Sequence, residues 1–199
     1  MTLHGVLGID PGLTRCGVGL VAGSSSRPQL LHAECLRTRS DVALEQRLLQ
    51  LHSRLELLID EYRPSAIVVE RVLFSANVRT AMATGQAAGA ALLAGARAGV
   101  PVTAYSPTQI KLTVAGDGSA TKAAVGRMVA AQLGLASAPE PADVADAIAV
   151  AITHLAMARI DQAGSATPAA GQLAAARAAA AATGRSGWEA IVAQRQGSG

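Results

Sequence analysis

Four carboxylates stand where a folding chain has reason to avoid unpaired charge. Asp10 closes the apolar run "GVLGID" (5–10), and Glu70 closes "SAIVVE" (65–70). Asp143 and Asp146 open the otherwise apolar segment "PADVADAIAVAITH" (141–154). Read as strands, the first two runs carry their acids to the rim of a sheet. Read as a helix, the third places its two acids on one face of the first turn, with Cβ atoms roughly 5–6 Å apart. The helix dipole favours a carboxylate there, and capping accounts for one of the two. The second adds like charge at the edge of a core, where an uncompensated acid is expensive. A divalent cation removes that repulsion.

No Cys and His cluster accompanies the acids, so the ligand set is all oxygen and suits Mg²⁺. Four carboxylates can hold two such ions about 3.5–4 Å apart, one to activate water and one to stabilise the leaving 3′ oxygen of a phosphodiester. This is the chemistry of a metal-dependent nuclease, and the spacing alone does not choose its substrate. For Asp10 or Glu70 taken singly, a solvated acid at a strand end is an equally good reading. The pair on the helix shifts the balance towards metal.

The elements that must position these acids form an α/β domain. "GVLGID", "GVGLV" (17–21) and "QLLHAECLR" (29–37) read as three strands joined by short turn-prone links, which favours an antiparallel meander. Ser40 is placed to cap a helix over 41–61, where Val42, Leu48, Leu51, Leu55, Leu58 and Ile59 keep a helical period. "SAIVVE" is continuously apolar and suits an interior strand. A helix follows over 77–98, then an edge or short strand in "PVTAYSP" (101–107), while "TQIKLTVAG" (108–116) is ambiguous. Ser119 is the expected cap of a helix from Thr121 to Leu133, and the last helix covers about 142–160, with Pro141 near its first turn. The order predicts a mixed sheet.

The chain of 199 residues is 50% apolar, enough for one domain with a real core. With one Trp, two Tyr and one Phe, that core is built from Val, Leu, Ile and Ala. Cys16 and Cys35 form neither a ligand cluster nor a disulfide framework. No signal peptide or membrane span is read, so a cytoplasmic location is expected. The net charge of +3 says little by itself; residues 1–160 hold 14 Lys and Arg against 12 acids, and acids turned inward onto metal would leave a basic footprint for a polyanion. From Asp161 on, the sequence is Ala-rich and low in complexity, with no apolar stripe to dock, so 1–160 is expected to be the domain and 161–199 a disordered tail.

"IDPGLTRCGVG" permits a competing idea, in which glycine-rich hairpin residues cradle ATP phosphates as in actin-like kinases. One domain of this size cannot supply the two lobes such enzymes need, and no "GxxxxGK[ST]" loop is present. The segments "GIDPGLTRCGVG" (8–19), "VVERVLFSANVRTAMATGQAAG" (68–89), "SPTQIKLTVAGDGSATKAAV" (106–125) and "PADVADAIAVAITH" together resemble the RuvC family of Holliday junction resolvases, in the ribonuclease H-like superfamily. The resemblance implies a ribonuclease H-like mixed five-stranded sheet with helices on both faces. It implies that Asp10, Glu70, Asp143 and Asp146 are the catalytic metal ligands, holding two Mg²⁺ ions that Mn²⁺ can replace. It further implies a homodimer that binds four-way junction DNA, nicks two strands symmetrically to leave 5′-phosphate and 3′-hydroxyl ends, and cooperates with a branch-migration motor.

Lys111 and Lys122 match basic positions of the family near the junction backbone, and Arg71 and Arg79 are further phosphate candidates. Lys122 in a first helical turn is disfavoured by the dipole unless phosphate is near. The helix over 77–98, with Ala81, Ala83, Gly85, Ala88 and Gly89 small and Met82 and Leu92 large, is the dimer contact that the family implies, although plain core packing produces much the same pattern. Where the family commonly has an aromatic wedge three places after the glutamate, this chain has Leu73, followed by Phe74, its only Phe. A ribonuclease H-like nuclease acting on another nucleic acid and a junction-binding scaffold without turnover are the remaining readings. All four acids are present, which argues against the scaffold.

Overall fold

The computed structural model describes residues 5–71 and 78–165, with side chains described through residue 159. By compactness the chain separates into residues 1–156 and 157–199; the sheet and the four acids belong to the first unit. Strands β1 (Val6–Asp10), β2 (Arg15–Ser24) and β3 (Arg27–Arg37) form the expected antiparallel meander. Helix α1 (Leu44–Tyr62) then returns the chain so that β4 (Ala66–Glu70) lies parallel to β1, and α2 (Val78–Ala98) does the same for β5 (Val102–Tyr105) beside β4. Helices α3 (Pro107–Ala115), α4 (Lys122–Leu133) and α5 (Ala142–Ser165) complete the described chain. The sheet order is β3-β2-β1-β4-β5, mixed and five-stranded.

Alternation along the strands divides the core in two. Leu7, Ile9, Val18, Leu20, Ile67 and Val69 meet Leu51, Leu55 and Leu58 of α1 and Ala87, Ala91 and Ala94 of α2 on one face. Val6, Val21 and Val68 meet Ile110 of α3, Val125 and Val129 of α4, and Val144, Ile148 and Ile152 of α5 on the other. Helices therefore cover both faces, and β5, half-buried along its length, is an edge strand.

Several boundaries differ from expectation, each for a local reason. Ser40 does not cap α1: the helix starts at Leu44 behind Ala43, which makes no side-chain cap. The preceding turn is held instead by Arg39 bonding Asp41, by the Thr38 hydroxyl donating to the Leu13 carbonyl, and by Arg47 donating to Thr38 and Thr14. Ser119 is likewise diverted, its amide and hydroxyl both donating to Asp117, while Thr121 caps α4 by accepting from the Ala124 amide. The ambiguous 108–116 is helical because Ser106 and Gln109 form a capping box with Pro107 at the first position. Strand β2 extends beyond 17–21 at both ends because β3 pairs with it from Arg15 to Ser24. The Ala-rich tail lies, from residue 166 on, outside the described residues. Among the described residues no helix is long and apolar enough to cross a membrane.

Candidate active site

Parallel pairing of β1 with β4 sets Ile9 beside Val69, so the next residues, Asp10 and Glu70, end adjacent strands at the same rim. Val6 and Val68 face α5; by alternation Gly8, Asp10 and Glu70 face it as well. The helix can lie close because the strands beneath it lack side chains. A Cβ on Gly8 would be driven into the carbonyl oxygen of Ala147, and one on Gly17 into that of Asp143. Two glycines of "GIDPGLTRCGVG" therefore admit a helix to the sheet, and the phosphate-cradle reading finds their open side filled.

Asp143 lies in the first turn of α5. Asp146, the fifth residue of that helix, opens its second turn rather than sharing the first. Both are largely covered, and the group bears the marks of charge crowding. Burial, followed by the charges of Glu70, Asp146 and Asp143, pushes the Asp10 carboxyl up from 3.8 to about 7, against a smaller lowering by Lys122. Glu70 is also raised, first by burial and then by Asp146, while Lys122 and Lys111 oppose the shift. Asp10 and Glu70, held against ionisation by burial and by neighbouring acids, make a setting in which a divalent ion binds.

Cationic side chains stand among the acids. Lys122 Nζ donates to Asp146 Oδ2 at 2.5 Å, and this bond is the main cause of a raised lysine pKa. Arg15 Nε lies 3.1 Å from Asp143 Oδ2, close enough to pair but not aligned as a hydrogen bond, so this buried oxygen lacks a donor. Among the described residues no three His, Cys, Asp or Glu side chains are gathered tightly enough to hold an ion as they stand. With Asp143 drawn to Arg15 and Asp146 to Lys122, that is the expected result. The donor set still fits a hard divalent cation, since it is all carboxylate, buried, and includes an orphaned oxygen. A cleft of about 180 Å³ opens beside it, lined by Glu70, Asp146, Lys111, Lys122, Pro107, Ile110 and Val125.

Asp10, Glu70, Asp143 and Asp146 thus come together, and Lys111 and Lys122 join them. Arg71 is exposed just beyond Glu70, its guanidinium 3.4 Å from the Ala104 carbonyl, and Arg79 is exposed on the first turn of α2. Leu73 and Phe74 lie outside the described residues. Arg15 escaped the sequence reading. Its signal was strand parity, since it precedes Gly17 by two places and shares the face on which α5 rests.

The family model for crossover junction endodeoxyribonuclease RuvC matches residues 6–154. The RuvC of Salinispora arenicola is 53% identical over 151 residues, spanning 75% of this chain and 86% of the relative. That of a Nocardioides species is 47% identical over 163 residues, with 79% and 92% covered. A solved structure of T. thermophilus RuvC in complex with a Holliday junction substrate superposes with a TM-score of 0.76 and 41% identity, over 79% of this chain and 96% of that one. The yeast mitochondrial Holliday junction resolvase Ydc2 shares the fold, with a TM-score of 0.55 at 14% identity over 75% of this chain and 78% of that one. These matches agree with a buried carboxylate group on a ribonuclease H-like sheet, and the chain belongs to the RuvC family of crossover junction endodeoxyribonucleases, metal-dependent and structure-specific enzymes that resolve Holliday junctions.

Proposed function

We propose that Asp10, Glu70, Asp143 and Asp146 are the catalytic carboxylates and hold two Mg²⁺ ions, for which Mn²⁺ can substitute. The observation that carries this reading is the meeting of two strand-end acids with two helix acids, in which the buried Asp10 carboxyl is pushed up to about 7 by burial and by its neighbours. Bound there, the ions would supply an activated water and a counter-charge for the leaving 3′ oxygen. The chain's own part is to bring the carboxylates together, keep water sparse around Asp10, and fix the scissile phosphate. Lys111 and Lys122 line the cleft and neutralise phosphate there. Arg71 and Arg79, exposed at the same end of the sheet, contact the flanking backbone; such contacts supply affinity and orientation rather than sequence choice.

The substrate is four-way junction DNA and the working species a homodimer. The exposed face of α2 supports the dimer: Met82 and Leu92 stand in solvent at 60% and 49% exposure, and Gly85 and Gly89 have open space where a Cβ would go. Ala88, expected in the seam, is buried in the α1–α2 core. A two-fold dimer matches the approximate symmetry of the junction, so two sites make paired nicks in strands of like polarity, leaving 5′-phosphate and 3′-hydroxyl ends. Leu73 or Phe74 serves as the wedge at the crossover, and a branch-migration motor in the cytoplasm delivers the substrate. Residues 1–160 form the nuclease domain, and 161–199 is a tail that cleavage does not need.

Cleavage of a labelled synthetic junction with Mg²⁺, mapped on all four strands beside a linear duplex and an RNA–DNA hybrid, tests the proposal. Symmetric nicks that fall at least about a hundredfold in Asp143→Asn, with junction binding retained, are expected. Full turnover by Asp143→Asn would overturn the four-carboxylate site, and preferential cutting of the hybrid would overturn the substrate.

A further inference from the structure

Arg15 opens β2 at a point where the strand outruns β1, whose last pairing joins Asp10 to Gly17. Side chains alternate, so Arg15 shares the face of Gly17, and α5 lies against that face with the Asp143 carbonyl. The guanidinium is thereby brought to the Asp143 carboxylate. Its side chain is 50% exposed, whereas that of Asp143 is 19% exposed. The pairing is loose: Nε stands 3.1 Å from Oδ2 without hydrogen-bond alignment, and Oδ2 has no donor. An arginine committed to a carboxylate usually presents a two-pronged, aligned fork. This one balances charge without locking the acid, and half of its side chain remains in solvent beside one of the four carboxylates.

Resting on the carboxylate-cage reading above, we propose that Arg15 is a positioning residue with two partners in turn. It balances the charge of Asp143 until a divalent ion draws that carboxylate away, and its released guanidinium then engages a phosphate of the bound junction. A half-exposed ion pair is weak, so it yields to a divalent ion while still opposing it measurably. Metal loading and DNA binding are coupled through one side chain, each favouring the other.

Two titrations on the full chain test this. In the first, Mn²⁺ is titrated calorimetrically into wild type, Arg15→Gln, Arg15→Lys and Asp143→Asn without DNA. Arg15→Gln is expected to bind Mn²⁺ about two- to fivefold more tightly than wild type, and Arg15→Lys, which keeps the charge, about equally. In the second, junction affinity is followed against salt with Ca²⁺ and, separately, with chelator. Arg15→Gln should reduce the slope of log affinity against log salt by about 0.9 with Ca²⁺, the loss of one phosphate contact, and leave it unchanged with chelator. Unaltered or weaker Mn²⁺ binding by Arg15→Gln overturns the inference, as does an equal loss of slope under both conditions. If Asp143→Asn binds Mn²⁺ as tightly as wild type, the cage reading falls and this inference with it, a result distinct from failure at Arg15 alone.

Discussion

The two faces of the sheet solve opposite packing problems. On the α1–α2 face, Leu7, Ile9, Val18 and Leu20 project from the strands and pack in one cluster with leucines of α1. On the α5 face, Gly8 and Gly17 project nothing, and the helix backbone comes down onto the sheet. The first arrangement maximises apolar contact. The second forgoes that contact at the end of the sheet and brings Asp143 and Asp146 to Asp10 and Glu70. Both faces carry apolar core, but the acids gather only on the face where Gly8 and Gly17 let a helix backbone reach the strands.

The contrast can be broken from either side. Gly17→Ala would force the first turn of α5 off the strand, because its methyl group meets the Asp143 carbonyl. Displacing a catalytic group by about 1 Å can cost about a hundredfold in rate, so junction cleavage should fall at least that far. Leu55→Ala, fully buried on the other face, should destabilise the fold by about 2–5 kcal/mol. Its cleavage rate per folded molecule should stay near that of wild type. Denaturant melts paired with single-turnover cleavage separate the two outcomes. A Leu55→Ala variant that folds fully yet cleaves as poorly as Gly17→Ala would mean that the faces are not divided in this way.

Much of this division was legible in the sequence. The periodicity of Leu48, Leu51, Leu55 and Leu58 announced α1, and the acids at positions 10 and 70 marked strand ends that do lie side by side. Short-range competition was not legible. Ser40 and Ser119 both had the chemistry of a helix cap, but neighbouring side chains settled where each helix starts: Arg39, Asp41 and Arg47 around the first, Asp117 at the second. The role of the glycines was also hidden, because a glycine that avoids a helix and one that cradles a phosphate look alike in one dimension. Arg15 was missed for a related reason. Its partner Asp143 is distant in sequence, and only the closeness of α5 to β2 brings the two together.

The acid-bearing face should also respond to pH. Asp10 has a folded pKa of about 7 against an ordinary value of 3.8, and Glu70 moves in the same direction. Between those two limits the folded chain binds more protons than the unfolded one, so stability falls as pH rises through the window and is regained on acidification. Each unit is worth about 1.4 kcal/mol, which puts the effect on the order of a few kcal/mol in chelator. Melts between about pH 5 and pH 8 should show the metal-free protein losing stability towards the alkaline end, and saturating Mg²⁺ should flatten the trend. Asp10→Asn should raise the metal-free midpoint at about pH 8 while abolishing cleavage. A lower midpoint for that variant would show that the carboxylate is stabilised in the fold rather than stressed.

The smallest effect concerns the cap that sets Lys122 in place. Thr121 accepts from the Ala124 amide and thereby fixes the first turn of α4, whose opening residue is Lys122, bonded to Asp146. Thr121→Ala should cost about 1 kcal/mol, the ordinary loss for a cap. A matched loss is expected from Ser106→Ala, which removes the cap of α3, the helix carrying Lys111. Both caps serve the acid-bearing face and hold lysines rather than carboxylates, so their removal should loosen the cleft without emptying it. Junction affinity at fixed salt should fall by less than about threefold, and the single-turnover rate at saturating protein should change less than the melting midpoint implies. If Thr121→Ala instead slowed cleavage as severely as Gly17→Ala, Lys122 would have to be held in place as strictly as the carboxylates, and the division of labour on this face would be finer than carboxylates for chemistry and lysines for backbone charge.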